Sequence, residues 1–124
     1  MSDELLNLET VHELMAVEAK SGKPFLAHLV ESFAREARAA LERMRDFARA
    51  GDGERLAREA HRLKGSSGSI GAARLSGECR ALERNAREGD RAALEASIDQ
   101  ALRVLDASQR RMQRHFARPR AGAA

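Results

Sequence analysis

The sequence predicts an all-α protein, an up-down antiparallel four-helix bundle with a short additional N-terminal helix. Three observations carry that prediction. Ala, Leu, Glu and Arg dominate the 124 residues, aromatics make up 3% and Trp and Tyr are absent, a composition that favours helix over strand. Apolar residues recur every three or four positions along four stretches, the period of a helix with one buried face. The breaks between those stretches are short and rich in Gly, Pro and Asp, and short connections favour antiparallel neighbours.

The first helix is expected from about Thr10 to Ala19, with Val11, Leu14 and Met15 as its apolar positions. Ser21-Gly22-Lys23-Pro24 breaks the chain, and Pro24 suits the first turn of the next helix. That second helix runs to about Ala50, with Phe25, Leu29, Phe33, Ala37, Ala40, Met44 and Phe47 as one buried stripe. Gly51-Asp52-Gly53 follows, with Asp52 as an N-cap. The third helix turns Leu56, Ala60, Leu63, Ser67 and Ile70 inward and ends near Gly71. The fourth spans about Ala73 to Glu88 with Leu75, Cys79, Leu82 and Ala86 inward. Asp90 caps the fifth, which buries Leu94, Ile98, Ala101, Leu105 and Met112.

A chain of this length makes one domain and buries roughly two-thirds of its unfolded surface without staples. Residues 1–116 form that domain, and residues 117–124 read as a disordered basic tail. The net charge of +3 is mostly a property of the C-terminal stretch. Arg110, Arg111, Arg114, Arg118 and Arg120 sit there without an acid among them, and in the rest of the chain acids outnumber bases. A single aromatic, Phe116, lies among these arginines, too few for a base-stacking platform, so nucleic acid is not the expected partner. A single cysteine permits no intrachain disulfide. No apolar run approaches the ~20 residues of a membrane span, and Met1-Ser2-Asp3-Glu4 lacks a signal-peptide pattern. A cytoplasmic protein without a membrane partner is expected, and nothing demands more than a monomer.

The chemistry concentrates at His61-Arg62-Leu63-Lys64-Gly65-Ser66-Ser67-Gly68. On a helix, offsets of three, four and seven share one face. His61, Lys64, Gly65 and Gly68 therefore place an imidazole, a cation and two positions without side chains together. Each mid-helix glycine costs about 1 kcal/mol relative to alanine, so the segment has a use for the room. A phosphoryl group, a metal or another protein's surface would use it. An unperturbed imidazole, with a pKa of about 6.5, is a nucleophile near pH 7, and Lys64 is placed to offset an arriving negative charge.

Ala60-His61-Arg62-Leu63-Lys64-Gly65-Ser66-Ser67, followed by Gly71-Ala72, resembles the signature of histidine-containing phosphotransfer (HPt) domains. Phe25-Leu26, Gly51-Asp52, Leu75, Cys79 and Leu82-Glu83 fit the family pattern in order and spacing, so the likeness runs from about Pro24 to Asp90. The resemblance implies a phosphorelay intermediate of a two-component system rather than an independent enzyme. His61 would accept a phosphoryl group from a receiver-domain aspartyl phosphate and pass it to another receiver's aspartate. Lys64 would neutralise the group, and Gly65 and Gly68 would let the receiver approach. Glu83 would accept the imidazole Nδ1–H, leaving Nε2 to attack. Arg87, one turn on, would pair with Glu83 or hold the phosphoryl group. Ala57, Arg58 and Arg62 would belong to the docking surface, the arginines steering an acidic receiver face. Response-regulator receivers and a hybrid histidine kinase are the implied partners, with Mg²⁺ supplied by the receiver and no cofactor held by this chain.

Other readings fit less well. Gly65-Ser66-Ser67-Gly68 matches the clamp of KH nucleic-acid domains, but that fold needs strands. The glycines do not match a P-loop. His12, His28, His61 and His115 are scattered, with no His/Cys pair at ligand spacing, so no metal site is expected. Cys79 falls on an inward stripe and reads as a structural thiol. Ser66 and Ser67 read as backbone-bonding or tight-packing residues rather than nucleophiles. The alternative function is a non-transferring interaction module that binds a receiver or another regulator by contacts alone.

Overall fold

The computed structural model describes residues 3–116. The tail expected at residues 117–124, with Arg118 and Arg120, lies outside the described residues. Among those described there are five helices and no strand: α1 Leu8–Ser21, α2 Leu26–Arg49, α3 Gly53–Ser69, α4 Ala73–Asn85 and α5 Arg91–Phe116. No helix among them is long and apolar enough to cross a membrane.

The helix ends follow from local hydrogen bonding. α1 starts earlier than the sequence predicts because Asn7, rather than a residue near Thr10, is its cap, accepting from the Thr10 N–H at 3.3 Å. Gly22, in the left-handed region at φ 71°, closes it. Pro24 precedes α2 instead of opening it. Phe25 holds the cap position without a side-chain oxygen of its own. Glu18 of α1 supplies the missing acceptor, its Oε2 taking both the Phe25 and Leu26 N–H groups at 2.8 Å. Asp52 caps α3 through the Arg55 N–H at 3.1 Å, and Asp90 caps α5 through the Ala93 N–H at 2.9 Å.

Packing joins α3 to α4, α2 to α5, α2 to α3 and α4 to α5, while α1 lies lightly on α2. Ion pairs Arg38–Asp106, Arg45–Asp99 and Arg49–Glu95 join α2 to α5, the α5 number falling as the α2 number rises. The inward positions expected on the third, fourth and fifth helices are all buried. The stripe expected on α2 needs correction. Leu29 is exposed and Phe25 and Phe47 are only half-buried, whereas Leu26, Val30, Ala34, Leu41 and Ala48 are core. α2 packs against both α3 and α5, so its buried face is wider than one stripe and rotated from the one predicted. Cys79 is fully buried, and burial pushes its thiol up to about 12.

Two turns set the frame of the site. Gly71 has φ 87°, and a Cβ there would meet Val11 Cγ2 at 3.2 Å and the Asn7 carbonyl oxygen at 3.3 Å. The segment before α1 docks onto this α3–α4 turn through Asn7 N–H to Gly71 O, 2.8 Å, and Arg74 N–H to Leu5 O, 3.1 Å. At the other end of α3, a Cβ on Gly53 would lie 2.7 Å from the Ala86 carbonyl oxygen and 3.1 Å from the Arg87 Cα. The α4–α5 turn therefore sits directly against the start of α3.

Candidate functional site

The cap at Asp52 and the buried stripe through Leu56, Ala60, Leu63 and Ser67 fix the rotation of α3. His61 consequently faces outward, its side chain 66% exposed. Its Nδ1 lies 2.9 Å from Glu83 Oε2 on α4. Lys64 Nζ donates to the other oxygen, Glu83 Oε1, at 3.0 Å. The hydrogen bond from Lys64, with a smaller contribution from His61, holds the Glu83 carboxyl below its ordinary range against the opposing effect of desolvation. An ionised carboxylate only accepts, so the imidazole tautomer that satisfies this contact has its proton on Nδ1 and its lone pair on Nε2. Ser76 ties the two helices at the same level, its hydroxyl donating to the Lys64 carbonyl oxygen at 3.0 Å.

Gly65 and Gly68 follow His61 by one and two turns. A Cβ on Gly65 would have no atom within 4 Å, and one on Gly68 would meet only Ser76 Oγ at 3.7 Å, an ordinary contact. Internal packing therefore does not require glycine at either position. Sequence reading passed over Gly77 on α4, where a Cβ likewise meets nothing within 4 Å. It lines a shallow hollow of about 630 Å³ with Lys64, Gly65, Gly68, Ser76 and Arg80. A glycine inside the Leu75–Leu82 helical pattern was the available signal.

A second hollow of about 410 Å³ opens beside His61 and is lined by Ala57, Arg58, His61, Arg62, Glu83 and Arg87. Arg58 and Arg62 are exposed, as a docking surface requires. Ala57 is not: it is buried. The inward face of α3 is wide enough to take in position 57 beside 56 and 60, so only the edge of Ala57 reaches the hollow. Arg87 also departs from the pairing expected with Glu83. Its Nε donates to Glu54 Oε1 at 2.5 Å, and this contact holds the Glu54 carboxyl below its ordinary range. The backbone stays helical through Ala86, but the turn over Gly53 brings Arg87 to the first turn of α3, where Glu54 takes its guanidinium in place of Glu83.

Glu59 was also passed over. It is the one buried charged residue among those described, and its Oε1 accepts from Arg43 Nε of α2 at 2.9 Å. An acid spaced three and four residues from Leu56 and Leu63, on the apolar stripe, was the sign of it. No group of three or more His, Cys, Asp or Glu side chains suited to a metal occurs among the described residues. His12 and His115, distant in sequence, do come together edge to face with ring centroids 6.4 Å apart.

An all-helical fold presenting an exposed, carboxylate-oriented histidine beside a lysine and side-chain-free ground defines a histidine-presenting helical module. The chain belongs to the Hpt domain family, whose family model matches residues 28–111. Its structure is similar to the crystal structure of histidine-containing phosphotransfer protein B (HptB) from Pseudomonas aeruginosa PAO1, with a TM-score of 0.81 and 27% identity over 96% of this chain and 100% of that one. Among curated protein sequences none matches. Membership carries a histidine phosphotransfer role in two-component phosphorelay signalling, in which Hpt proteins are intermediates that work with receiver domains and kinases.

Proposed function

We propose that His61 is the relay residue, taking a phosphoryl group from a receiver's aspartyl phosphate and giving it to another receiver's aspartate. The observation that carries this is the exposed imidazole with Nδ1 on Glu83, which leaves Nε2 free to attack. In the forward step Nε2 attacks phosphorus, the Nε2–P bond forms, the acyl phosphate P–O bond breaks, and the aspartate leaves as a carboxylate. The Nδ1 proton stays in place. The ring's developing positive charge faces the Glu83 carboxylate, so no proton has to move. The cationic phosphoimidazole is itself a good donor, which makes the step reversible.

Lys64 offsets the incoming phosphoryl charge from the next turn of α3. Unit charges ~4 Å apart interact by about 4 kcal/mol at an effective dielectric of 20, and less where water and salt screen them. Gly65 and Gly68 give the receiver's active site room, and Arg58 and Arg62 attract its acidic face. Arg87 swings from Glu54 towards the phosphoryl group once it is present. Mg²⁺ comes with the receiver and its carboxylates. In this reading α2 to α5 form an up-down antiparallel bundle with α1 as an addition, residues 1–116 are one HPt module, and the protein is a cytoplasmic monomer. A hybrid histidine kinase is the upstream source.

The test is transfer from phosphorylated receiver domains, with Mg²⁺, to the wild-type protein and to His61→Gln. Acid-labile, alkali-stable label on the wild type alone supports the relay. Binding without label from any receiver replaces it with the interaction-module reading.

A further inference from the structure

The relay reading gives Arg62 a docking role but leaves Glu59 and Arg43, on the α2 side of α3, without one, and these two belong to a built feature. Glu59 lies two residues before His61. Its carboxylate is only 9% exposed, yet the two guanidiniums it faces are not buried: the Arg43 side chain is 51% exposed and that of Arg62 75%. Arg43 contacts Glu59 Oε1 through both Nε, at 2.9 Å, and Nη2. Arg62 Nη1 stands 3.7 Å from Oε2. Solvent therefore meets the two cations and hardly meets the anion that holds them. Stability alone does not call for this arrangement, because a buried ion pair is often replaceable by apolar residues without loss. What it provides is one arginine, Arg43, held in place by hydrogen bonds, with Arg62 drawn towards the same carboxylate from the next helix.

These arginines edge a hollow of about 260 Å³ between α2 and α3, whose apolar surface comes from Phe33, Ala37, Ala40 and Leu63. Arg62 also lines the hollow that contains His61, so the two surfaces are continuous. We infer that Glu59 and Arg43 form a partner-selecting edge where the docking surface beside His61 meets α2. This inference rests on the relay reading. The occupant is a receiver domain whose face beside the phosphoaspartate carries an apolar ridge flanked by carboxylates. The ridge fills the space left by the alanines, and the carboxylates meet Arg43 and Arg62. Receivers with basic residues at those places are rejected by like charge. Glu59 is a positioning residue in this scheme, and Arg43 determines specificity.

The experiment compares wild type, Arg43→Ala, Arg43→Glu and Glu59→Gln. Transfer is measured against a panel of phosphorylated receivers at two salt concentrations, and His61 is also labelled with phosphoramidate, a donor too small to dock. Arg43→Ala is expected to slow transfer from the preferred receiver about tenfold at low salt, chiefly through KM, and to flatten the salt dependence. Phosphoramidate labelling should proceed at the wild-type rate. Arg43→Glu should invert the ranking of receivers, and a carboxylate-to-lysine change on the receiver should restore its transfer. Should Glu59→Gln fail to fold by circular dichroism, the two Arg43 variants decide the matter. An unchanged ranking in both Arg43 variants overturns the inference, as does phosphoramidate labelling that falls in parallel with transfer. Wild-type protein that phosphoramidate labels but no receiver does overturns the relay reading itself.

Discussion

Gly65→Ala should make the protein more stable and worse at its task. Gly65 lies inside α3, and its φ is not among the positive ones, which belong to Gly22, Gly51 and Gly71. Alanine therefore adopts the same backbone without strain. The added Cβ has no atom within 4 Å, so it creates no clash, and replacing a mid-helix glycine contributes about 0.5–1 kcal/mol. For a domain of this size that raises Tm by roughly 2–5 °C. The same methyl stands one turn from His61 on the exposed face. Against a closely docked receiver it acts as overpacking, costing about 1–3 kcal/mol, or roughly 5- to 150-fold in transfer rate. The assays are a thermal melt by circular dichroism and transfer from a phosphorylated receiver with Mg²⁺, with phosphoramidate labelling as the docking-free control. Gly53→Ala is the contrasting variant: its Cβ meets backbone atoms at 2.7 and 3.1 Å, and it should lose stability. If Gly65→Ala, and then Gly65→Leu, transfer at the wild-type rate, the clearance argument is refuted. If Gly65→Ala melts earlier than wild type, the reading of the open face is wrong.

Three further outcomes follow from the geometry. Glu83→Ala should slow transfer more than Glu83→Gln, because Gln still offers an oxygen to Nδ1–H while Ala leaves the tautomer unfixed; ¹⁵N shifts of the His61 ring in each variant check the cause. Glu18→Ala should cost about 1–2 kcal/mol in urea unfolding, since it strips the acceptor from two N–H groups at the start of α2. The acid limb of the stability curve should owe part of its slope to Asp3 and Glu83. For Asp3, burial opposes ionisation, but the Leu5 and Leu6 N–H groups and Arg111 together hold the carboxyl low; for Glu83 the hydrogen bond from Lys64 leads. Both pKa values are lower folded than unfolded, so their contribution is complete above the unfolded carboxylate range and is lost as pH falls through the folded values. Asp3→Asn and Glu83→Gln should each flatten that limb in urea midpoints taken against pH, and an unchanged slope rejects the assignment.

The sequence reading worked best where a helix meets its neighbours along one stripe. The third, fourth and fifth helices bury the positions expected of them, Leu56 through Met112. It slipped on α2 because Phe25, Leu29 and Phe33 step by four as regularly as Leu26, Val30 and Ala34 do, and periodicity alone cannot say which set faces two packing partners. It also missed the start of α2, whose acceptor comes from Glu18, one helix back. Arg87 shows the same limit at a helix end. Counting four residues from Glu83 finds a neighbour on the same helix and cannot see Glu54, which the fold brings to Arg87 from the start of α3.

The candidate site was legible to the extent that it is local. His61, Lys64, Gly65 and Gly68 share one face of one helix, so spacing brings them together. Glu83 was reached through family resemblance, since nothing in a single sequence measures a distance between helices. Glu59 and Arg43 needed the fold as well. The glycines make the point most clearly, because in the sequence they are alike and in the structure they divide. A side chain at Gly53, Gly71 or Gly89 would press on the molecule's own atoms at 2.7–3.3 Å, whereas one at Gly65, Gly68 or Gly77 would meet at most a serine hydroxyl at 3.7 Å. The first group is explained by folding. The second group carries a helix-propensity cost with no internal reason, and two of its members, Gly65 and Gly68, follow Lys64 along α3 on the ground beside His61. Where a fold tolerates a cost that its own packing does not require, a reason outside the molecule is called for, and in the relay reading it lies on the face that a phosphorylated partner must reach.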